Sequence, residues 1–159
     1  MPEQTTSASA SIPLIYRLII TTIEPLFAAS GALLAFRDPQ SYLATMTRHS
    51  IAFTAGSTFL YTELGGAWLY FAFNEAVVLR LFDDLRLWRL LCFGMLLSDV
   101  AYCHSAAQAV GGWRAWAIMG DWTAEDWVVF WTTTPMVLTR ILIVLGIGLK
   151  KAPPTHKHE

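Results

Sequence analysis

Glu24, Asp99 and Arg140 are ionisable residues embedded in three separate, otherwise apolar stretches of this 159-residue chain. Counted from the same end of each stretch they lie about 11, 10 and 9 residues in, which at helical rise sets them at one depth. A lone charge at mid-membrane costs at least about 2.5–3.5 kcal/mol, so such residues turn inward and pair. A meeting of the three can be a salt bridge that orients helices. It can also do chemistry, because two carboxyls against one guanidinium leave an excess acid. A carboxylic acid that keeps its proton beside an ionised one is a general acid next to a general base.

A second layer of candidates lies farther along the same axis. Glu63 and His104 share a depth of about 16 and 15 residues. Offsets of 3, 7 and 11 put Glu63, Gly66, Tyr70 and Asn74 on one helical stripe. Gly65-Gly66 permits either close helix packing or a pocket there. Asp99, Tyr102 and Cys103 share a face, whereas His104 is rotated about 140° from Asp99, which assigns the two to different sub-sites or leaves one of them a structural contact. Tyr61, Tyr102 and Asn74 are placed to hold a water or a developing alkoxide. Glu63, Tyr70, His104 and Trp131 complete the expected substrate-contacting set.

The elements that must position these residues are long helices. A bilayer span needs roughly 20 mostly apolar residues, and four stretches have that length: 13–36, about 57–80, about 88–111 and 127–149. Composition agrees, with 55% hydrophobic and only 14% charged residues, against roughly 25% charged in a soluble domain. The expected fold is therefore all-α, an integral membrane four-helix bundle over 12–150 between a disordered polar tail at 1–11 and a short frayed tail at 151–159. The leader MPEQTTSASAS has no basic region, and Glu24 would interrupt a signal-peptide core, so the first run reads as a span. Residues 39–56 are expected to form a short interfacial helix that runs into the second span. Pro25 and Pro135 are expected to kink their helices and free carbonyls beside the site.

Basic residues set the orientation. Arg17, Arg80, Arg86, Arg89, Lys150, Lys151 and Lys157 fall on one side, and only Arg37, Arg48 and Arg114 on the other, which puts both termini in the cytosol. The opposite side carries Trp113, Trp116, Trp122 and Trp127 around Asp121, Glu125 and Asp126, an aromatic belt with an acidic cap. Lys157, half of a dilysine pattern, points to the endoplasmic reticulum. Cys92 and Cys103 lie on one helix about 16 Å apart and cannot bridge.

Several function classes are disfavoured. There is no Gly-rich phosphate loop, paired-Cys or H-x-x-x-H metal pattern, or G-x-S-x-G elbow. A net charge of −1 without a basic stripe speaks against nucleic acid. No cofactor is expected, and the expected partners are an apolar small-molecule substrate, the lipid bilayer and, as an option, a second copy in a homodimer.

The opening IPLIYRLIITTIEPLFAASGALLAF, followed by DPQSYL, resembles the start of a family of small fungal four-span membrane proteins. The likeness covers the whole chain by layout and residues 12–43 by motif. That family includes membrane-bound epoxide hydrolases and cyclases of polyketide pathways. The four-span plan with intramembrane acids is also similar, more loosely, to the sterol-isomerase and sigma-2-receptor superfamily. The resemblance implies an epoxide-opening secondary-metabolite enzyme, with Glu24, Asp99 and Arg140 as the positions that would bear its chemistry. The residues support that reaction on their own terms, since it needs an acid for the leaving oxygen and a base for water or an internal hydroxyl. Two rivals remain: a double-bond isomerase whose cation is stabilised by Trp68, Trp122 or Trp131, and a non-catalytic lipid- or sterol-binding protein.

Overall fold

A computed structural model describes residues 6–150. All regular structure in it is helical, and no strand occurs among the described residues. Three helices are long and apolar enough to cross a membrane: α2 (Leu14–Arg37), α5 (Leu85–Ala109) and α7 (Ala124–Leu145). The fourth expected span is a helical run of similar length, α4, which covers Thr58–Phe73 and continues through a π-turn at Asn74–Val78 to Leu79–Leu81. Glu63, Asn74, Glu75 and Arg80 dilute its apolar character. Short helices α1 (Ala8–Ser11), α3 (Pro39–Met46) and α6 (Trp113–Trp116) lie at the ends of the long ones.

Local chemistry explains where these helices start and stop. Asp38 caps α3 with Pro39 at its first position, and the Asp84 carboxylate accepts from Arg86 N and Leu87 N at the start of α5. Thr123 and Asp126 form a reciprocal capping box on α7, which then ends at Gly146 in the left-handed conformation (φ 76°). The last span therefore stops short of the expected 149. The 39–56 segment does not run on into the next helix. Its helix ends at Met46, after which Arg48 and His49 take positive φ and Arg48 Nε donates to buried Asp126 at 2.8 Å. Asp126 thus serves as a cap and ion-pair partner, not as part of an exposed acidic rim.

The expectation of a disordered tail at 1–11 fails over 6–11. Ser7 caps α1, the Asp83 carboxylate accepts from Ser7 Oγ and Ser9 N at 2.6 Å each, and Ala8 and Ser11 are buried. Hydrogen bonds to a charged acceptor dock this segment, a gain that polar composition alone does not announce. Residues 1–5 and the 151–159 tail, with Lys151 and Lys157, lie outside the described residues.

Packing runs α2 against α4 and α5 against α7, with the π-turn of α2 touching both α4 and α7. At Gly31 a Cβ would sit 2.0 Å from the Trp68 ring, and at Gly65 it would sit 2.7 Å from Phe36, so glycine lets α2 and α4 approach. Outward faces are apolar. On α5, Leu90, Phe93, Leu97 and Val100 form a stripe at offsets of 3, 7 and 10, each more than half exposed. The inward stripe of the same helix holds Trp88, Cys92, Met95 and Asp99. An apolar surface around a charged interior is the arrangement lipid requires and water penalises.

Candidate functional site

Arg140 is the centre of the site. It lies on the inner face of α7, 1% exposed, and its guanidinium gathers three carboxyls from three other helices. Nη1 bonds Asp99 Oδ2 of α5 at 2.5 Å, and Nη2 bonds Glu24 Oε1 of α2 at 2.6 Å and Glu75 Oε1 of α4. Met95 Sδ lies 3.6 Å from Nη2, and the Phe71 ring centre is 6.0 Å from Cζ. The three residues singled out from depth alone therefore meet, and Glu75 joins them.

Two of the three acids are delivered by π-turns. Glu24 directly follows the π-turn Ile19–Ile23, and Glu75 lies inside the π-turn Asn74–Val78. Such turns are rare and collect at functional sites, because the extra residue re-aims the side chains beside it. Pro25 belongs to the same device. Having no N–H, it cannot serve the Thr21 carbonyl four residues back, and Arg80 Nη2 fills that role at 2.7 Å while also reaching Thr22 Oγ1 at 2.8 Å. Pro135 sits inside α7, and Thr139 Oγ1 returns a hydrogen bond to its carbonyl at 2.7 Å.

A cavity of about 130 Å³ opens beside the guanidinium. Phe27, Trp68, Phe71 and Tyr102 supply aromatic walls, and Ser98, Thr132 and Thr133 supply hydroxyls. Glu24 Oε2, Glu75 Oε2 and Arg140 Nε are buried without a hydrogen-bond partner. Buried polar atoms are normally paired, so these three mark where a polar ligand atom or water would be held. Arg140 itself occupies the point on which the carboxyls converge, and among the described residues no cluster of His, Cys, Asp and Glu is arranged to hold a metal ion.

Of the other expected contacts, Tyr102 and Trp68 line this cavity and the rest do not. Tyr61 packs on Tyr42 and Phe53, both at 5.8 Å, and reaches the cavity wall only through Tyr42, which packs on Trp68 at 5.6 Å. Glu63 and Tyr70 are exposed, and Asn74 is buried but spends its amide on the Tyr70 carbonyl at 2.9 Å. His104 is exposed and accepts from Trp113 Nε1 at 3.2 Å, away from Glu63. Trp131 is 62% exposed, and Trp122 packs against Trp116 and Trp127 at 4.9 and 4.8 Å between ring centres. The second acid–base layer therefore does not assemble. The cause is a rotation of one residue on α4: Gly65, with Trp68, Glu75 and Leu79, faces inward, whereas Gly66 has nothing within 4 Å of where its Cβ would be. A stripe drawn from Gly65, at offsets of 3, 10 and 14, would have found Glu75.

A domain of unknown function, DUF7704, matches residues 9–150. The chain belongs to that family. Neither a curated protein nor a solved structure matches it. The matched region holds all four members of the Arg140 cluster and begins within α1, so Ser9–Ser11 of the docked turn lie inside the family's domain and its cap Ser7 lies just before it.

Proposed function

We propose that this protein is an integral membrane enzyme whose Arg140 cluster opens an epoxide in an apolar polyketide or terpenoid by acid–base catalysis. The observation that carries this reading is the convergence of Glu24, Glu75 and Asp99 on one guanidinium beside a cavity with unpaired buried carboxyl oxygens. Three carboxyls and one guanidinium make an electrically neutral group only when two protons are held among the acids. The guanidinium keeps Asp99, on Nη1, apart from the two glutamates on Nη2. A carboxylic acid on one side gives its proton to the oxirane oxygen as the C–O bond breaks. The carboxylate on the other takes a proton from water or a substrate hydroxyl as that oxygen bonds to carbon. The Ser98 hydroxyl stands ready for the developing alkoxide, whereas Thr132 Oγ1 already donates to the Val128 carbonyl at 2.8 Å. The cavity holds only the reacting part of a substrate, and exposed Phe27 and Ser98 on its rim let an apolar remainder extend into lipid.

Turnover of a terpenoid or polyene epoxide in ¹⁸O-labelled water tests the reaction. One labelled oxygen in a diol, or a cyclic ether without label, is the expected result. Deuterium on carbon from heavy water would instead support a double-bond isomerase, a reading favoured by the Trp68, Phe71 and Phe27 rings that could face a carbocation. Binding with no turnover would reduce the site to lipid or sterol recognition.

The accompanying topology is four spans, with α4 as the least apolar, both termini in the cytosol and residence in the endoplasmic reticulum. Its support is the basic bias and the hydrogen bonds that gather the chain ends at one end of the bundle: Leu85 N to Thr6 O at 2.9 Å and Lys150 N to Ser11 O at 2.8 Å. Glycosylation tags inserted in 112–121 should be modified and tags at either terminus should stay bare. The reverse pattern would refute the orientation.

A further inference from the structure

A second cavity, of about 330 Å³, lies at the end of the bundle that carries the chain ends, between α1, α2, the end of α4 and the start of α5. Arg17 and Arg80 line it together with the hydroxyl residues Ser9 and Thr21 and the Trp88 side chain. Arg17 Nε is buried and has no hydrogen-bond partner. Neither arginine forms an ion pair among the described residues. Asp83 is the acid in this wall, but its oxygens are taken by Ser7 Oγ, Ser9 N and Ser9 Oγ, the last at 3.0 Å. The Ser7 hydroxyl foremost, with the Ser9 contacts and the nearby Arg17 charge, holds its carboxyl below the usual range. Arg80 spends Nη2 on Thr21 and Thr22 and keeps the remainder of its fork.

We propose that this cavity binds a phosphate group, and the surroundings favour the headgroup of an anionic phospholipid as its source. A planar guanidinium matches phosphate oxygens in a bidentate way, and the two on this cavity supply the donors of a phosphate cradle, since the Ser9 and Thr21 hydroxyl protons go to Asp83 Oδ2 and the Arg17 carbonyl. The cradle lies at the ends of helices whose outer faces are apolar, the level at which lipid phosphates sit, and Trp88 and Leu79 offer apolar walls for the start of a glycerol backbone. This site is separate from the acid cluster and does not depend on its chemistry.

The test uses the full-length protein in a neutral detergent, with native mass spectrometry and thermal unfolding read against dioctanoyl phosphatidic acid, dioctanoylglycerol, glycerol 3-phosphate and inorganic phosphate. Phosphatidic acid should bind and raise the Tm, and Arg17→Gln should weaken it by about 10-fold or more, as expected for lost charge-assisted bonds to phosphate. Arg17→Gln is the informative variant because that side chain makes no hydrogen bond within the described protein, so folding should survive. Arg17→Lys should retain part of the binding. Tight binding of the lipid alone assigns the site to a headgroup, and equal binding of the soluble phosphates assigns it to free phosphate. Binding of dioctanoylglycerol as tight as phosphatidic acid, no binding of any phosphate, or an Arg17→Gln variant that binds like the wild type would overturn the proposal.

Discussion

Arg140→Met should be the most destabilising single change in the chain, by about 3–5 kcal/mol, the range for removing one partner of a buried ionic group. The guanidinium is the only cation among three carboxyls that are 0–15% exposed, and methionine leaves those acids desolvated with nothing to offset them. Detergent-solubilised Arg140→Met is expected to show a large fall in Tm and in yield. Arg140→Lys should recover only part of the loss, because a compact ammonium cannot present separate nitrogens to Asp99 and to the glutamates. The combined variant Arg140→Met, Glu24→Gln, Glu75→Gln, Asp99→Asn should regain most of the stability, since removing a whole buried ionic group is far less costly than breaking it. A fully stable Arg140→Met single variant would mean that water reaches the cluster freely and that the buried charges govern neither folding nor chemistry.

The second large effect concerns turnover. Glu24→Gln, Glu75→Gln and Asp99→Asn should each lower the rate of epoxide opening by about 10²–10⁴-fold, the usual contribution of a general acid or base, with the protein still folded. An amide keeps the shape and a hydrogen bond to the guanidinium, yet it cannot pass a proton. If the cluster only ties the helices together, activity per folded molecule should stay near wild type, and losses should follow the Tm instead. Glu75 is the sharpest of the three. Its side chain lines the same cavity as Asp99 and Glu24 yet is 0% exposed, so a large catalytic loss there would place the reacting proton at the buried end of that cavity.

Much of this arrangement was legible before any coordinates. Long apolar stretches permit little but helices, because in lipid every backbone group must be satisfied within its own segment. An acid or arginine stranded in such a stretch must find a partner at its own depth, and that is sufficient to bring Glu24, Asp99 and Arg140 together on paper. Depth, however, says nothing about rotation. Glu63 and His104 share a depth and still point outward, because a helix turns about 100° per residue and apolar residues surround both faces of these spans, leaving no amphipathic contrast to orient them.

Tertiary structure decided the rest. Which of Gly65 and Gly66 meets α2 was settled by the Phe36 ring that closes on Gly65, and that single choice brought Glu75 inward and left Tyr70 at the surface. The π-turns at Ile19–Ile23 and Asn74–Val78 have no composition signal, since they relieve packing and proline constraints that exist only once the helices are assembled. The docking of α1 likewise rests on Asp83, more than seventy residues away along the chain. The sequence determined by itself that charges must gather inside an apolar bundle, because solvation energy depends on residue type and depth. Only the folded molecule decided which charges they are and which way they face, because those depend on steric contact between helices that no one-dimensional pattern records.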